Sequence, residues 1–490
     1  MNARRILVPL TVTSLLAYFL FFSLPSVKMY FDSDDMYALY FAWSKPLLQI
    51  VRENLSIWKG EFRPFGAFFY RGIFAVAGFH PRPFRIAALL VCLFDVGLCF
   101  WFARLISGSE RIASLAALLF TFQARMIEAW YRTTVIFDTL CFTFAYLAVG
   151  LYIKARRDDG DLGWSRVVGL IVLFVCALNS KEFAVAVPVF LLAWEILFNT
   201  SKLRALYRTR AALTIVAMGV LTLIYTYGKL HGPQSVNPTY IPQYTWSRFA
   251  ETWGEYLRDI FLLQDRLSGP ICVTILGAML AAAAALRSRV MLFAWVVLFF
   301  GLLPVSFAPA RGGYEIYFSW IGWVIYAAAL LVVFENLLTR RFPQFRTATA
   351  CVVFTLVALG YGVANYDVWK REDRPWLYAS PDSIRVMVKQ MQAMHRRFPP
   401  GARMIFLEDG IGWGEWTPTF IMRLLYNDPS IVVDRLKQRT NDKPADWAQY
   451  SSDDRVHYDY AFSFDGQGYL GVPSEVAALH GLEVRGRQAR

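Results

Sequence analysis

The sequence predicts an all-α polytopic membrane protein of about eleven transmembrane helices, followed by a small C-terminal α/β domain. Three observations predict it. Of 490 residues, 56% are hydrophobic and only 18% are charged, against roughly 25% charged in an ordinary soluble protein. The mean hydropathy is +0.38. Apolar stretches long enough to span a bilayer, or nearly so, recur through residues 1–365 and then stop. Such a composition excludes a disordered chain, a fibrous protein and a pair of ordinary soluble domains.

The expected spans are 6–24, 84–106, 112–127, 134–153, 167–179, 183–198, 211–228, 270–286, 290–307, 318–338 and 347–364. Arg4 and Arg5 precede the first, as they would a signal peptide, but Ser23-Leu24-Pro25-Ser26 offers no small-x-small cleavage site. It therefore reads as an uncleaved anchor. Charge orients the set. The net charge is +13, and residues 1–365 supply all of it, with 33 Lys+Arg against 20 Asp+Glu; residues 366–490 hold 17 of each. With a cytoplasmic amino terminus, the inner loops hold Arg104/Arg111, Lys154/Arg156/Arg157/Arg166, Lys202/Arg204/Arg208/Arg210, Arg287/Arg289 and Arg340/Arg341/Arg346. That distribution obeys the positive-inside rule, so the surplus sets orientation and does not mark a nucleic-acid partner. The outer face then receives the loop 25–83, the turn 128–133, Ser180-Lys181-Glu182, the loop 229–269, the turn 308–317 and the tail. Residues 1–365 form the membrane domain and 366–490 an extracytoplasmic domain.

Within the outer loops, Trp246, Phe249, Trp253, Tyr256, Leu257, Ile260 and Phe261 make one face of an amphipathic helix over 246–261, expected to lie flat in the interface. The stretches 36–58 and 65–79 look similar. In the tail, a helix is expected from the Ser380-Pro381-Asp382 cap through Phe398, and another at 417–426. Met404–Leu407, Ile431–Val433 and Tyr458–Phe464 read as short strands. The six cysteines all lie in apolar stretches, without zinc spacing or a disulfide framework, and the five histidines are scattered. Gly466-Gln467-Gly468-Tyr469-Leu470-Gly471 matches a dinucleotide fingerprint, but no βαβ unit follows it, and Gly410-Ile411-Gly412-Trp413-Gly414 lacks the spacing. Asn54-Leu55-Ser56 is a glycosylation sequon in an outer loop.

Chemistry-bearing residues gather on the outer side. Asp32, Asp34 and Asp35 put three carboxylates within four residues, just outside the first span. Their mutual repulsion raises at least one pKa or recruits a cation. A carboxylate near its pKa suits general-base work on a hydroxyl, and the three can instead share a hard divalent ion such as Mg²⁺ or Mn²⁺. A solvated acidic loop or a helix cap is the plain alternative. Lys181 and Glu182 join two short spans, which places them below the membrane surface in a protein-lined cavity; the plain alternative is a Lys–Glu pair ending two helices. Arg311, followed by Gly312 and Gly313, offers a phosphate both guanidinium and backbone. Glu128 and Arg132 occupy another outer turn. Asp138 and Asp95 lie inside spans, where Asp95 can simply hydrogen-bond a neighbouring helix.

In order, these positions resemble the C-type (GT-C) superfamily of membrane glycosyltransferases that use polyprenyl-phosphate sugars. The look is closest to the protein O-mannosyltransferases and their transmembrane-TPR relatives, with the bacterial lipid A aminoarabinose transferases further off. The matching pieces are Asp34-Asp35, Arg63-Pro64-Phe65 leading to Gly78-Phe79-His80-Pro81, Glu128-Ala129-Trp130 with Arg132, Phe137-Asp138-Thr139-Leu140, Ser180-Lys181-Glu182, and Arg311 ahead of Tyr314 and Tyr317. They cover about the first 340 residues. Where relatives carry a histidine shortly before the Glu128 position, this chain has Arg125 and Met126, and the tail shows no TPR repeat.

The resemblance implies an inverting transfer of a sugar from a polyprenyl-phosphate donor to an acceptor hydroxyl on a glycan, lipid or protein, on the extracytoplasmic side. Asp34 or Asp35 would be the base, with Asp34 favoured. Arg311, Lys181 and Arg132 would meet the donor phosphate, with Glu128, Glu182 and Arg63 completing the substrate-binding set. A divalent ion at Asp32, Asp34 and Asp35 serves some relatives and not others. The expected location is a bacterial inner membrane, with an endoplasmic reticulum membrane the other choice. The rival reading is a transporter or flippase of lipid-linked sugars without chemistry.

Overall fold

The computed structural model describes residues 3–55, 63–158, 160–200, 206–231, 241–340, 343–371, 375–393, 397–409, 411–412, 416–435, 459–464 and 470–471. Ser56 of the sequon, Gly466 and Gly468 of the dinucleotide-like stretch, and Gly410 and Gly414 lie outside the described residues. The chain forms two compact units. The first comprises Met1–Val27, Leu48–Gly66 and Ile86–Asp373; the second comprises Lys28–Leu47, Ala67–Arg85 and Arg374–Arg490. The boundary expected after residue 365 therefore divides the chain differently from its compact units: parts of the first outer loop belong with the tail.

In the first unit and its margins, six described helices are long and apolar enough to cross a membrane: Val8–Lys28, Pro81–Ser107, Thr133–Asp158, Arg210–Lys229, Gly313–Leu338 and Thr347–Arg371. Their surroundings differ. Thr133–Asp158 and Gly313–Leu338 are mostly buried inside the protein, whereas Thr347–Arg371 turns nearly all of its apolar length outward. Leu356, Leu359 and Val363 are each more than 60% exposed there, and Leu223 is 70% exposed on Arg210–Lys229. Continuous apolar faces of that size need lipid. The chain is an integral membrane protein.

The other expected spans fall on shorter helices: Glu110–Thr121, Trp164–Leu178, Val187–Phe198, Gly269–Ala285 and Arg289–Leu302. The first and third have 12 residues each; such a helix rises only about 18 Å, against roughly 30 Å of hydrocarbon. Several end in 3₁₀ turns, Glu182–Ala186 and Leu303–Val305 among them. Glu110–Thr121 is buried from Ile112 onward and works as a core element.

Small residues set the closest packing. A Cβ on Gly322 would come within 2.6 Å of Ala294 O and Leu298 N, so glycine is what lets Tyr317–Leu338 lie directly against Arg289–Leu302. Polar groups inside the unit are satisfied in pairs. Asp95 accepts from Thr143 Oγ1 at 2.5 Å and Tyr317 Oη at 3.0 Å, the helix-to-helix role anticipated for it. Glu195 accepts from Arg156 Nε at 2.6 Å and Tyr152 Oη at 2.7 Å, all buried.

Amphipathicity at 246–261 resolves differently from the expectation. The helix Trp246–Ile260 forms, but Trp253, Tyr256, Leu257 and Ile260 are buried against protein, with Trp253 Nε1 donating to Ser306 Oγ at 2.9 Å. A helical apolar stripe has the same period whether lipid or protein covers it; here only Trp246, at the helix start, remains largely exposed.

The second unit holds a four-stranded sheet of order β2-β1-β3-β4, with β1 Arg403–Glu408, β2 Val432–Arg435, β3 Tyr460–Phe464 and β4 Leu470–Gly471. β1 pairs in parallel with β2 and β3, and β4 runs antiparallel to β3. The helix Thr417–Leu425 packs on Ser33–Ser44 through stacked Tyr40 and Phe420 rings 4.5 Å apart. Arg423 Nη1 donates to Tyr40 Oη at 2.5 Å, and Trp43 Nε1 to Asn427 Oδ1 at 3.0 Å. These aromatics explain why loop residues 28–47 belong with the tail. The other tail helix runs Pro375–Ala393, with Pro381 inside it, and does not start at a Ser380 cap. Pro375 suits the first turn, where no N–H is needed, whereas Pro381 lies inside the helix and removes one internal donor there.

Candidate active site

Four separate stretches of the first unit bring six charged side chains together. Arg63 precedes the helix Pro64–Ala77, Lys181 and Glu182 follow Trp164–Leu178, and Arg311 and Glu315 flank the start of Gly313–Leu338. Asp138 comes from the first turn of Ile136–Asp158. Lys181 sits in extended backbone, at φ −158° and ψ 154°, so its side chain and that of Glu182 diverge. They are not a pair with each other. Lys181 Nζ donates to Asp138 Oδ2 at 2.9 Å in an almost fully buried ion pair, and lies 5.5 Å from the Tyr314 ring centre. Glu182 turns to two arginines: it accepts from Arg63 Nη2 at 2.9 Å and stands 3.7 Å from Arg311 Nη2.

Arg311 is held from behind. Its Nε donates to Glu315 Oε1 at 2.5 Å and its backbone N–H to Glu315 Oε2 at 3.0 Å, while Tyr256 Oη donates to the same Oε2 at 3.0 Å. Glu315 is 1% exposed, whereas Arg311, Glu182 and Arg63 retain 26%, 26% and 30%. The arginine heads and the Glu182 carboxylate are thus the accessible part, and Lys181, Asp138 and Glu315 form a buried backing. Burial by itself would raise the Glu182 pKa, but Arg63, Lys181 and Arg311 outweigh it and hold the carboxyl well below the usual range. Desolvation disfavours the Arg311 cation, yet Glu315 and Glu182 more than offset it and raise its pKa. By formal charge, the three cations Arg63, Lys181 and Arg311 balance the three carboxylates Asp138, Glu182 and Glu315.

The glycines after Arg311 have packing reasons of their own. Gly312 has φ +153°, and a Cβ there would come within 3.0 Å of Glu128 Oε2. A Cβ on Gly313 would overlap the carbonyl of Arg125. Glu128 is buried, and its Oε1 lies 3.8 Å from Arg132 Nη1, so these two predicted residues form a neighbouring pair.

The acidic cluster belongs to the second unit and splits into two kinds of carboxylate. Asp32 caps the helix Ser33–Ser44: its Oδ1 accepts from Asp35 N at 2.7 Å, and Asp35 Oδ2 accepts from Asp32 N at 3.2 Å, closing a capping box. Asp35 is wholly buried, accepting from Arg85 Nη2 at 3.0 Å and Tyr70 Oη at 3.2 Å. Burial first, and the neighbouring Asp32 second, push Asp35 up to about 7, against the pull of Arg85. Asp34 points outward from the same turn and is exposed. Among the described residues, no three His, Cys, Asp or Glu side chains are grouped to hold a metal ion. For Asp35 the reason is visible, since its oxygens are engaged by the Asp32 N–H, Tyr70 and Arg85, and Asp32 Oδ1 is engaged by the Asp35 N–H.

Sequence reasoning had singled out Arg63, Lys181, Glu182 and Arg311, but it omitted Asp138, Glu315 and Tyr256 from the site. An acid within an apolar span marked Asp138, and the i,i+4 spacing from Arg311 marked Glu315. Tyr256 carried no signal beyond its place on an amphipathic face.

No family model matches the chain, and the curated proteins give no match. Among solved structures, it is similar to the crystal structure of ArnT from Cupriavidus metallidurans bound to undecaprenyl phosphate, with a TM-score of 0.49 and 14% identity over 90% of this chain and 91% of that one. The apo structure of the same ArnT gives 0.48 and 15% identity, over 90% and 88%.

Proposed function

We propose that this chain is an integral-membrane glycosyltransferase of the GT-C kind, moving a sugar from a polyprenyl-phosphate donor to an acceptor hydroxyl on the extracytoplasmic side. The observation that carries the reading is the pair of partly exposed guanidiniums, Arg63 and Arg311, gathered on Glu182 in front of a buried Lys181–Asp138 pair. Planar guanidiniums suit a phosphate bidentately, and their place at the ends of apolar helices suits a phosphate carried on a lipid.

In the proposed reaction the acceptor oxygen attacks the anomeric carbon and the bond from that carbon to the phosphate oxygen breaks. Polyprenyl phosphate leaves, and the acceptor proton goes to a carboxylate. A single displacement inverts the anomeric centre. Asp34 is the proposed base, since it is the exposed carboxylate of the cluster while Asp32 and Asp35 are buried. Arg311 and Arg63 stabilise charge gathering on the leaving phosphate, and Lys181 supports them electrostatically from the buried side. Glu128 and Arg132 are proposed acceptor- or donor-positioning residues.

The test is release of free polyprenyl phosphate by the purified protein when it is given a polyprenyl-phosphate sugar and an acceptor extract. Release that depends on acceptor supports the proposal. Translocation of intact lipid-linked sugar without release would replace it with the flippase reading.

A further inference from the structure

A cavity of about 400 Å³ lies away from the charged network, between the ends of the helices Ile136–Asp158 and Trp164–Leu178. Its lining is apolar at Leu151, Leu170 and Leu173 and charged at Lys154, Arg166 and Asp158. The cavity opens on a lipid-facing surface: Leu151 is 44% exposed, and Val168 and Val172 on the second helix are 60% and 54% exposed. Trp164, at the start of that helix, is 58% exposed and lies under the Arg210 guanidinium, 5.2 Å from its ring centre. An outward tryptophan at a span end marks headgroup depth. Lys154 and Arg166 thus stand where a lipid phosphate lies, and the leucines stand where its acyl chains begin. The connection between the two helices is one of the basic loops, which the charge bias puts on the cytoplasmic side.

We propose that this cavity binds an anionic phospholipid of that leaflet, its phosphate between Lys154 and Arg166 and an acyl chain along Leu151, Leu170 and Leu173. Two cations against one carboxylate leave the lining net positive. That favours a headgroup with net negative charge over a zwitterionic one, whose own ammonium would face Lys154 and Arg166. The apolar part of the lining is what selects a lipid over a free anion.

Gly169 supplies a steric probe. It lines the cavity, and a Cβ added there meets nothing within 4 Å, so a side chain placed there starts into open space. The experiment is native mass spectrometry of the full chain in an uncharged detergent, titrated with phosphatidylglycerol, phosphatidylcholine or phosphatidylethanolamine. The wild type should retain phosphatidylglycerol preferentially. Lys154→Gln with Arg166→Gln should cut that preference by roughly tenfold or more, and Gly169→Phe should reduce retention while both cations remain. Millimolar inorganic phosphate should not displace the lipid. Equal retention of the zwitterionic lipids, an unchanged preference in both variants, or displacement by inorganic phosphate would each overturn the proposal, the last in favour of a free-anion site.

Discussion

Arg311→Ala tests the proposed donor site, and the structure gives two separate consequences. Removing the guanidinium strands Glu315, which is 1% exposed and would keep only Tyr256 Oη and a backbone N–H as donors. Breaking a buried pair by deleting one partner costs about 3–5 kcal/mol, so the single variant should melt earlier. The second consequence is for the donor. A charge-assisted hydrogen bond contributes about 1.5–3 kcal/mol, which corresponds to a loss of roughly 10- to 150-fold in affinity. The two effects separate in Arg311→Ala with Glu315→Gln. The neutral amide can still accept from Tyr256, so most of the stability returns, while the donor site still lacks its guanidinium. The assay is donor affinity by calorimetry in detergent, with thermal melting alongside. Wild-type donor affinity in the stable double variant would remove Arg311 from phosphate binding and leave it a structural residue.

Asp34→Asn is expected to abolish transfer while protein level and membrane insertion persist, and wild-type turnover would take Asp34 out of the mechanism; Asp35→Asn should act chiefly on stability, through Arg85. A pH effect follows from the same carboxyl. Because its folded pKa, about 7, lies above the unfolded value, protonated Asp35 contributes stability that is full below about pH 4 and lost as pH rises through 7. Melting temperatures between pH 5 and 8 should therefore fall more steeply in the wild type than in Asp35→Asn, and parallel slopes would contradict the assignment. Gly313→Ala should destabilise the protein by about 1–3 kcal/mol through overlap with the Arg125 carbonyl, read as a melting shift. Chelation should leave transfer intact, since the proposed phosphate partners are protein cations; activity lost to EDTA and restored by Mg²⁺ or Mn²⁺ would put a divalent ion back into the site.

Composition made the polytopic membrane architecture legible, because lipid leaves few alternatives for an apolar segment of twenty residues. It could not separate helices that face lipid from helices such as Glu110–Thr121, which protein surrounds from Ile112 onward. The same ambiguity turned Trp246–Ile260 from an expected interfacial helix into one packed under Ser306 and Ala308. At the site, depth and residue type picked out Lys181, Glu182, Arg63 and Arg311. Pairing was not legible: Lys181 and Glu182 are neighbours in sequence, yet extended backbone sends one to Asp138 and the other to Arg63. Nor could spacing tell that Asp32 and Asp35 cap their own helix while Asp34 faces outward, since all three share one turn.

Pairing also changes what the cations can do. The chain's surplus of positive charge does not reach the site, where Arg63, Lys181 and Arg311 are already balanced by Glu182, Asp138 and Glu315. A donor phosphate entering there would exchange with Glu182 for guanidinium hydrogen bonds, so its affinity would be a difference between two ion pairs and not the sum of two new ones. Such a site would hold the donor only moderately in the ground state. As the sugar departs, phosphate charge rises while that of Glu182 stays fixed, and the arginines then favour the leaving group. Stronger binding at the transition state than at the ground state is what accelerates a reaction. On this argument Glu182→Gln should tighten donor binding, because it leaves a net positive site, and at the same time lower turnover. Weaker donor binding in that variant, with the protein still folded, would show that Glu182 positions the arginines and does not compete for them.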